Sequence, residues 1–143
     1  MTRWSLLPGV IITSAGLWLR LWAEGWLVKN DVLSTRGPYL YTRNPLYLGT
    51  GLMILGQSLM SGVPWALLVF PVLWMILYWP TMQQEEAHLS ACHGAEYAAY
   101  REHVPRLLPR LWPVRDQAAQ LSAGTNHSGE AKFSWPRVFR YRW

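Results

Sequence analysis

The chain has a single cysteine, Cys92, so no internal disulfide can staple the fold. It has little charge: 15% of its 143 residues are Asp, Glu, Lys or Arg. Between Trp4 and Pro80 the only residues of fixed charge are Arg20, Glu24, Lys29, Asp31, Arg36 and Arg43. So sparse a charge pattern argues against a soluble globule and for a chain that lives in lipid. There is no basic-aromatic motif on a recognisable module, so the net charge of +5 does not indicate nucleic-acid binding. His88, His93 and His103 show no metal-ligand spacing, and no metal site is expected. There are no internal repeats.

Apolar and aromatic residues are abundant. Half the chain is hydrophobic, and ten residues are Trp, far above ordinary usage. Three apolar segments stand out: about Trp4 to Val28, about Leu46 to Met60, and about Pro64 to Tyr78. The first is long enough to cross a hydrocarbon core of about 30 Å. It is too long, and too polar near its end, for a signal peptide, and no small-residue cleavage site follows. Ser61-Gly62-Val63-Pro64 separates the other two. Gly closes one helix and Pro opens the next, so a tight helical hairpin is predicted. The third segment is expected to continue as helix beyond Pro80.

A further helix is read from Met82 to about His103. Its weak apolar face is Leu89, Cys92 or Ala95, Ala99 and Val104, with Gly94 as a break and Pro105 as its end. The fold class is therefore an all-α integral membrane protein of about three transmembrane helices, plus a C-terminal cytoplasmic amphipathic helix. Residues 1–115 form the membrane domain. Residues 116–131 lack periodicity and read as a flexible linker. The tail from Phe133 to Trp143 mixes aromatics with Arg and reads either as an interfacial anchor or as a disordered end.

Lys29, Arg36 and Arg43 follow the first segment. Arg101, Arg106, Arg110 and Arg115 follow the third, and the hairpin turn carries no basic residue. The positive-inside rule then places the 29–44 loop and the C-terminus in the cytoplasm. Both polar clusters fall on that side. One is Gly37-Pro38-Tyr39-Leu40-Tyr41-Thr42-Arg43-Asn44-Pro45-Leu46-Tyr47-Leu48-Gly49. The other comprises Glu85-Glu86, Gly94, Tyr97, Tyr100 and Val104-Pro105-Arg106.

These motifs, in this order, resemble the isoprenylcysteine carboxyl methyltransferase family and its phospholipid methyltransferase relatives, over about Gly16 to Pro113. The family pattern is an Arg-His-Pro-x-Tyr-x-Gly loop, a Glu-Glu pair after a helical hairpin, Gly-x-x-Tyr-x-x-Tyr, then Val-Pro-Arg. Arg43 to Gly49, Glu85-Glu86, Gly94 to Tyr100 and Val104 to Arg106 match it. Asn44 replaces the usual His, a change also found in eukaryotic phospholipid N-methyltransferases. His93 stands where an aromatic usually precedes the Gly. Family members commonly carry one or two more helices near the N-terminus.

The resemblance implies S-adenosylmethionine as cofactor and methyl transfer to a lipophilic small molecule or lipidated substrate. It implies cofactor contacts from Tyr41, Arg43, Asn44, Pro45, Tyr47, Gly49, Glu85, Glu86, Tyr97 and Tyr100, with Arg106 and Glu86 as catalytic residues. The residue types suit that task. A carboxylate pair can hold the cofactor's ammonium, and an Arg can take its carboxylate through two contacts. Tyr offers adenine a stacking face. Pro45 at a helix start leaves free N–H groups for an anion. Of the acidic pair, Glu86 is expected to matter more for the cofactor. Other readings stay open: Tyr97 and Tyr100 as interfacial anchors, Asn44 as a helix cap, Arg20 and Glu24 as a local ion pair. The acceptor is a carboxylate, as in isoprenylcysteine, or an amine, as in a phospholipid; a non-catalytic protein that keeps the fold is the competing class.

Overall fold

The computed structural model describes residues 3–26, 37–111 and 135–136, with the side chains of residues 3 and 4 excluded. The 29–36 part of the first loop, the predicted linker at 116–131 and most of the 133–143 tail lie outside the described residues. Among the described residues there is no strand. Three α-helices are present: α1 (Arg3–Trp26), α2 (Pro45–Met60) and α3 (Ala66–His103), with a 3-10 turn at Gly37–Leu40.

Glycine brings α1 and α2 together. Gly9 and Gly16 recur every seven residues on α1, and Gly49 and Gly56 do so on α2. The helices run antiparallel, so Gly9 faces Gly56 and Gly16 faces Gly49. A Cβ on Gly16 would stand 2.6 Å from the Gly49 carbonyl oxygen and 2.8 Å from the Met53 nitrogen. Backbone meets backbone here. Small residues at the contact are how helices associate in lipid, where apolar side chains gain nothing from leaving their surroundings. Arg20 extends the same contact: its Nη1 donates to Thr50 Oγ1 at 2.7 Å and its Nε to Glu24 Oε1 at 3.2 Å.

The hairpin forms as predicted. Gly62 takes a positive φ of 69°, and the Ser61 and Gly62 N–H groups return to the Gln57 and Leu59 carbonyls at 3.0 and 3.3 Å. Helix α3 then packs Trp74 over Gly51, where a Cβ would stand 3.1 Å from the ring.

Two predicted elements are one. The third apolar segment and the Met82–His103 helix form a single 38-residue helix. Pro71 and Pro80 lie inside it, so the helix continues beyond Pro80 as expected. The expected break at Gly94 is real: its φ of 48° and ψ of −117° kink the helix. The predicted C-terminal face is corrected. Cys92 and Ala95 are exposed. The buried stripe is Met82, Glu86, Tyr97, Tyr100 and Val104, with Leu89 packed against it. Tyrosines, with more area to bury, take the inward positions instead of alanines.

The expected count of about three spans is met in part. Among the described residues two helices, α1 and α3, are long and apolar enough to cross a membrane. Helix α2, at 16 residues, falls short of the ~20 needed. Only 17% of the apolar window of each longer helix is buried, whereas the core helix of a soluble protein would be mostly covered. Leu7, Ile11 and Trp18 on α1, and Leu68, Ile76 and Leu77 on α3, face outward.

Gly16→Ile forces a branched side chain into the α1–α2 backbone contact. It should destabilise the protein by about 1–3 kcal/mol, as overpacking does. Thermal unfolding in detergent checks this; an unchanged midpoint would mean that the glycine contact does not hold the helices together.

Candidate functional site

The start of α2 and the far part of α3 meet around one carboxylate. Glu86 is 6% exposed, in the middle of the α3 stripe. Arg106 grips it with two parallel bonds, Nε to Oε1 at 3.0 Å and Nη2 to Oε2 at 2.8 Å. Arg43 Nη1 stands 3.3 Å from Oε2. Asn44 Nδ2 donates to Oε1 at 3.1 Å. Two guanidinium groups thus share one buried acid. A buried charge is tolerable only with such pairing.

Backbone geometry sets this up. After the 3-10 turn, the Tyr41 and Thr42 N–H groups bond the Pro38 carbonyl at 3.1 and 3.3 Å. This leaves residues 41–44 free to take a strap, residues 105–111, that follows α3. Arg43 N–H bonds Pro105 O at 2.9 Å, and Arg110 N–H bonds Tyr41 O at 3.0 Å. The Thr42 hydroxyl reaches Arg106 O at 3.0 Å and Leu107 O at 3.3 Å. Asn44 Nδ2 also reaches Arg106 O at 3.2 Å. Asn44 therefore does not cap α2 through its side chain. Its amide ties the loop to Glu86 and to the strap instead.

A second pair sits beside the first. The Tyr47 hydroxyl donates to Glu85 Oε1 at 2.8 Å, and Glu85 is exposed. The Tyr47 ring lies 5.6 Å from the Tyr78 ring. Above Arg106, the Trp79 ring centroid is 4.6 Å from the guanidinium carbon.

Two buried donors in this region, Arg43 Nε and the Tyr97 hydroxyl, lack hydrogen-bond partners, while Arg43 Nη1 meets Glu86 as an ion pair at 3.3 Å. Such groups are costly to leave alone, and donors on a cation favour an anion. Burial pushes the Tyr39 hydroxyl pKa up, and the Glu85 and Glu24 carboxylates push it further. Tyr39 therefore stays neutral and brings no second anion to the site.

Of the sequence-selected residues, Arg43, Asn44, Glu86 and Arg106 form one cluster, with Tyr47 and Glu85 as a neighbouring pair. Pro45 is fully buried at the first position of α2. Gly49 is placed elsewhere, against Gly16 and Arg20 of α1. The Tyr100 hydroxyl is taken by the Tyr39 carbonyl at 2.6 Å. Tyr41 joins through its carbonyl. Sequence reasoning passed over Thr42 and Trp79. Thr42 lay within a selected motif but had no chemical signal of its own, and Trp79 was one of ten tryptophans.

Residues 4–96 match the family described as phospholipid methyltransferase. The chain is 33% identical over 111 residues to the cobalt-zinc-cadmium resistance protein CzcN of Cupriavidus metallidurans, which covers 77% of this chain and 50% of that protein. It is 32% identical over 83 residues to the protein-S-isoprenylcysteine O-methyltransferase of Schizosaccharomyces pombe, covering 58% and 35%. It is 39% identical over 71 residues to the methanethiol S-methyltransferase of Crocosphaera subtropica, covering 50% and 27%. The chain thus spans half or less of the length of these curated relatives. No solved structure matches it.

Removing the shared acid leaves two partly buried cations without their carboxylate. Glu86→Ala should cost about 3–5 kcal/mol of stability. Glu85→Gln, at an exposed position, should cost about 0.5 kcal/mol or less. Thermal unfolding of the two variants side by side tests the contrast, and equal losses would show that Glu86 does not hold the arginines.

Proposed function

Since the chain belongs to the phospholipid methyltransferase family, we propose that it transfers a methyl group from S-adenosylmethionine to a lipophilic acceptor at the cytoplasmic face of a membrane. The observation that carries this reading is that Arg43 Nε and the Tyr97 hydroxyl are buried without hydrogen-bond partners, while Glu85, next to Glu86 on α3, keeps an exposed carboxylate. A cation site and an anion site close together suit the two charged ends of an amino acid.

Arg43 and Tyr97 take the cofactor's carboxylate. Glu85, held by the Tyr47 hydroxyl, takes its ammonium. Glu86 has another task, because its oxygens already carry Arg106, Arg43 and Asn44. It is a positioning residue for both arginines. The adenine finds stacking faces among the tyrosines of the loop, Tyr41 and Tyr47. When bound, S-adenosylmethionine supplies an electrophilic methyl group on a sulfonium.

Arg106 has Nε and Nη2 committed to Glu86, and Trp79 covers the guanidinium plane. Its Nη1 is left to orient the acceptor. A cation in that place favours an anionic acceptor, as in carboxyl O-methylation of an isoprenylcysteine. Such an acceptor is already ionised at neutral pH and needs no general base. The chain's work is to align it with the donor, which lowers the barrier through orientation alone. Lys29, Arg36 and Arg43 before α2 and Arg106, Arg110 and Arg115 after α3 support a cytoplasmic position for this face. A reporter fused after Trp143 should therefore be active only inside the cell, and activity only outside would reverse the orientation.

The acidic residue that faces the cofactor is tested by titration of S-adenosylmethionine into protein in detergent. Glu85→Gln removes the charge while keeping size and hydrogen bonding. It should weaken binding by about 1.5–3 kcal/mol, roughly tenfold to a hundredfold. Arg43→Gln should weaken it in the same range. Wild-type affinity in both variants would sink the assignment.

A further inference from the structure

The strap does more than close the loop. We propose that residues 105–111 lie on the lipid surface, with Leu108 and Leu111 inserted at the boundary between headgroups and hydrocarbon. Leu108 is 81% exposed and Leu111 is 90% exposed, more than any of the outward-facing large apolar residues of the helices. Two bare leucines three residues apart are an anchor pattern when a membrane lies beside them.

Three observations place the membrane there. The strap is bonded through Pro105, Arg106 and Arg110 to residues 41–44, which lead directly into α2. Arg106 lies over the ring of Trp79. Trp79 and its neighbour Tyr78 are exposed aromatics at the end of the apolar stretch of α3. Aromatic side chains concentrate at the level where hydrocarbon gives way to water. The strap therefore shares the depth of that belt.

Its chemistry suits the position. Pro105 and Pro109 have no N–H to leave unsatisfied at a low-dielectric surface. The Arg110 N–H is used by Tyr41, and Arg110 Nη1 donates to the His103 carbonyl at 2.9 Å. The rest of the exposed Arg110 guanidinium is free to face lipid phosphate while its stem lies along apolar surface. Cation and leucines together fit a bilayer surface. A protein groove would have to cover both leucines and still leave the cation solvated.

The inference does not depend on methyl transfer, and its test reads no activity. Leu108→Cys and Leu111→Cys are made one at a time in the full chain carrying Cys92→Ser. Each is labelled with an environment-sensitive fluorophore and reconstituted into vesicles of phosphatidylcholine and phosphatidylglycerol. The expected result is blue-shifted emission, several-fold stronger quenching by nitroxide on the upper acyl chain than in vesicles without it, and protection from aqueous iodide. Quenching by iodide without quenching by the nitroxide lipid would put the strap in water and overturn the proposal. Protection from both quenchers would mean that protein covers the leucines, either residues 112–143 or a second copy, and would overturn it equally.

Discussion

One buried acid holds the described structure's functional end together. Glu86 lies on α3, Arg43 and Asn44 lie before α2, and Arg106 lies on the strap, so this carboxylate joins three parts of the chain. Helices α2 and α3 also touch where Trp74 covers Gly51, nearer the hairpin, and where Tyr47 meets Tyr78 and Glu85. Without Glu86 the two guanidiniums would face one another uncompensated, and the loop would keep only the Tyr39–Tyr100 bond and the Tyr47–Glu85 pair against α3. Because the attraction acts in a low dielectric, it is far stronger than the same pair would be at an aqueous surface.

That arrangement separates holding from binding. Glu86 is fully engaged within the protein, and so are the Tyr100 hydroxyl and the Thr42 hydroxyl. Arg43 Nε and the Tyr97 hydroxyl are not. A rigid scaffold of satisfied groups thus presents a few unsatisfied ones. Binding sites gain when their donors are fixed before the ligand arrives, because less ordering is then needed on contact.

Much of this was legible in the sequence. The hairpin follows from Gly62 and Pro64, and the break from Gly94. The cluster follows from the order of Arg43, Asn44, Glu86 and Arg106. What was not legible has physical reasons. Two acids side by side give no sign of which one faces inward; the helical turn decides, and Glu86 falls on the stripe with Met82 and Tyr97. Gly49 read as part of a ligand loop, yet its seven-residue spacing from Gly56, matched by Gly9 and Gly16, was the better signal. Asn44 read as a cofactor contact or a cap, and its bonds to Glu86 and Arg106, spanning 42 and 62 residues, gave no local signal. The helix runs on past Pro80, as expected, because a helix surrounded by apolar material has nothing better to do with its backbone than continue.

The run of α3 ahead of the Gly94 kink turns it into a ruler. Twenty residues separate Ala66, at its hairpin end, from Glu86. At 1.5 Å per residue that is about 30 Å, the hydrocarbon thickness of an ordinary bilayer. The acid, and the arginines bound to it, therefore sit one membrane thickness from the hairpin. In a thinner or thicker bilayer the helix has to tilt or the lipid has to adjust, since the spacing itself cannot change. Membrane thickness thereby becomes a variable that sets how deep this cluster lies.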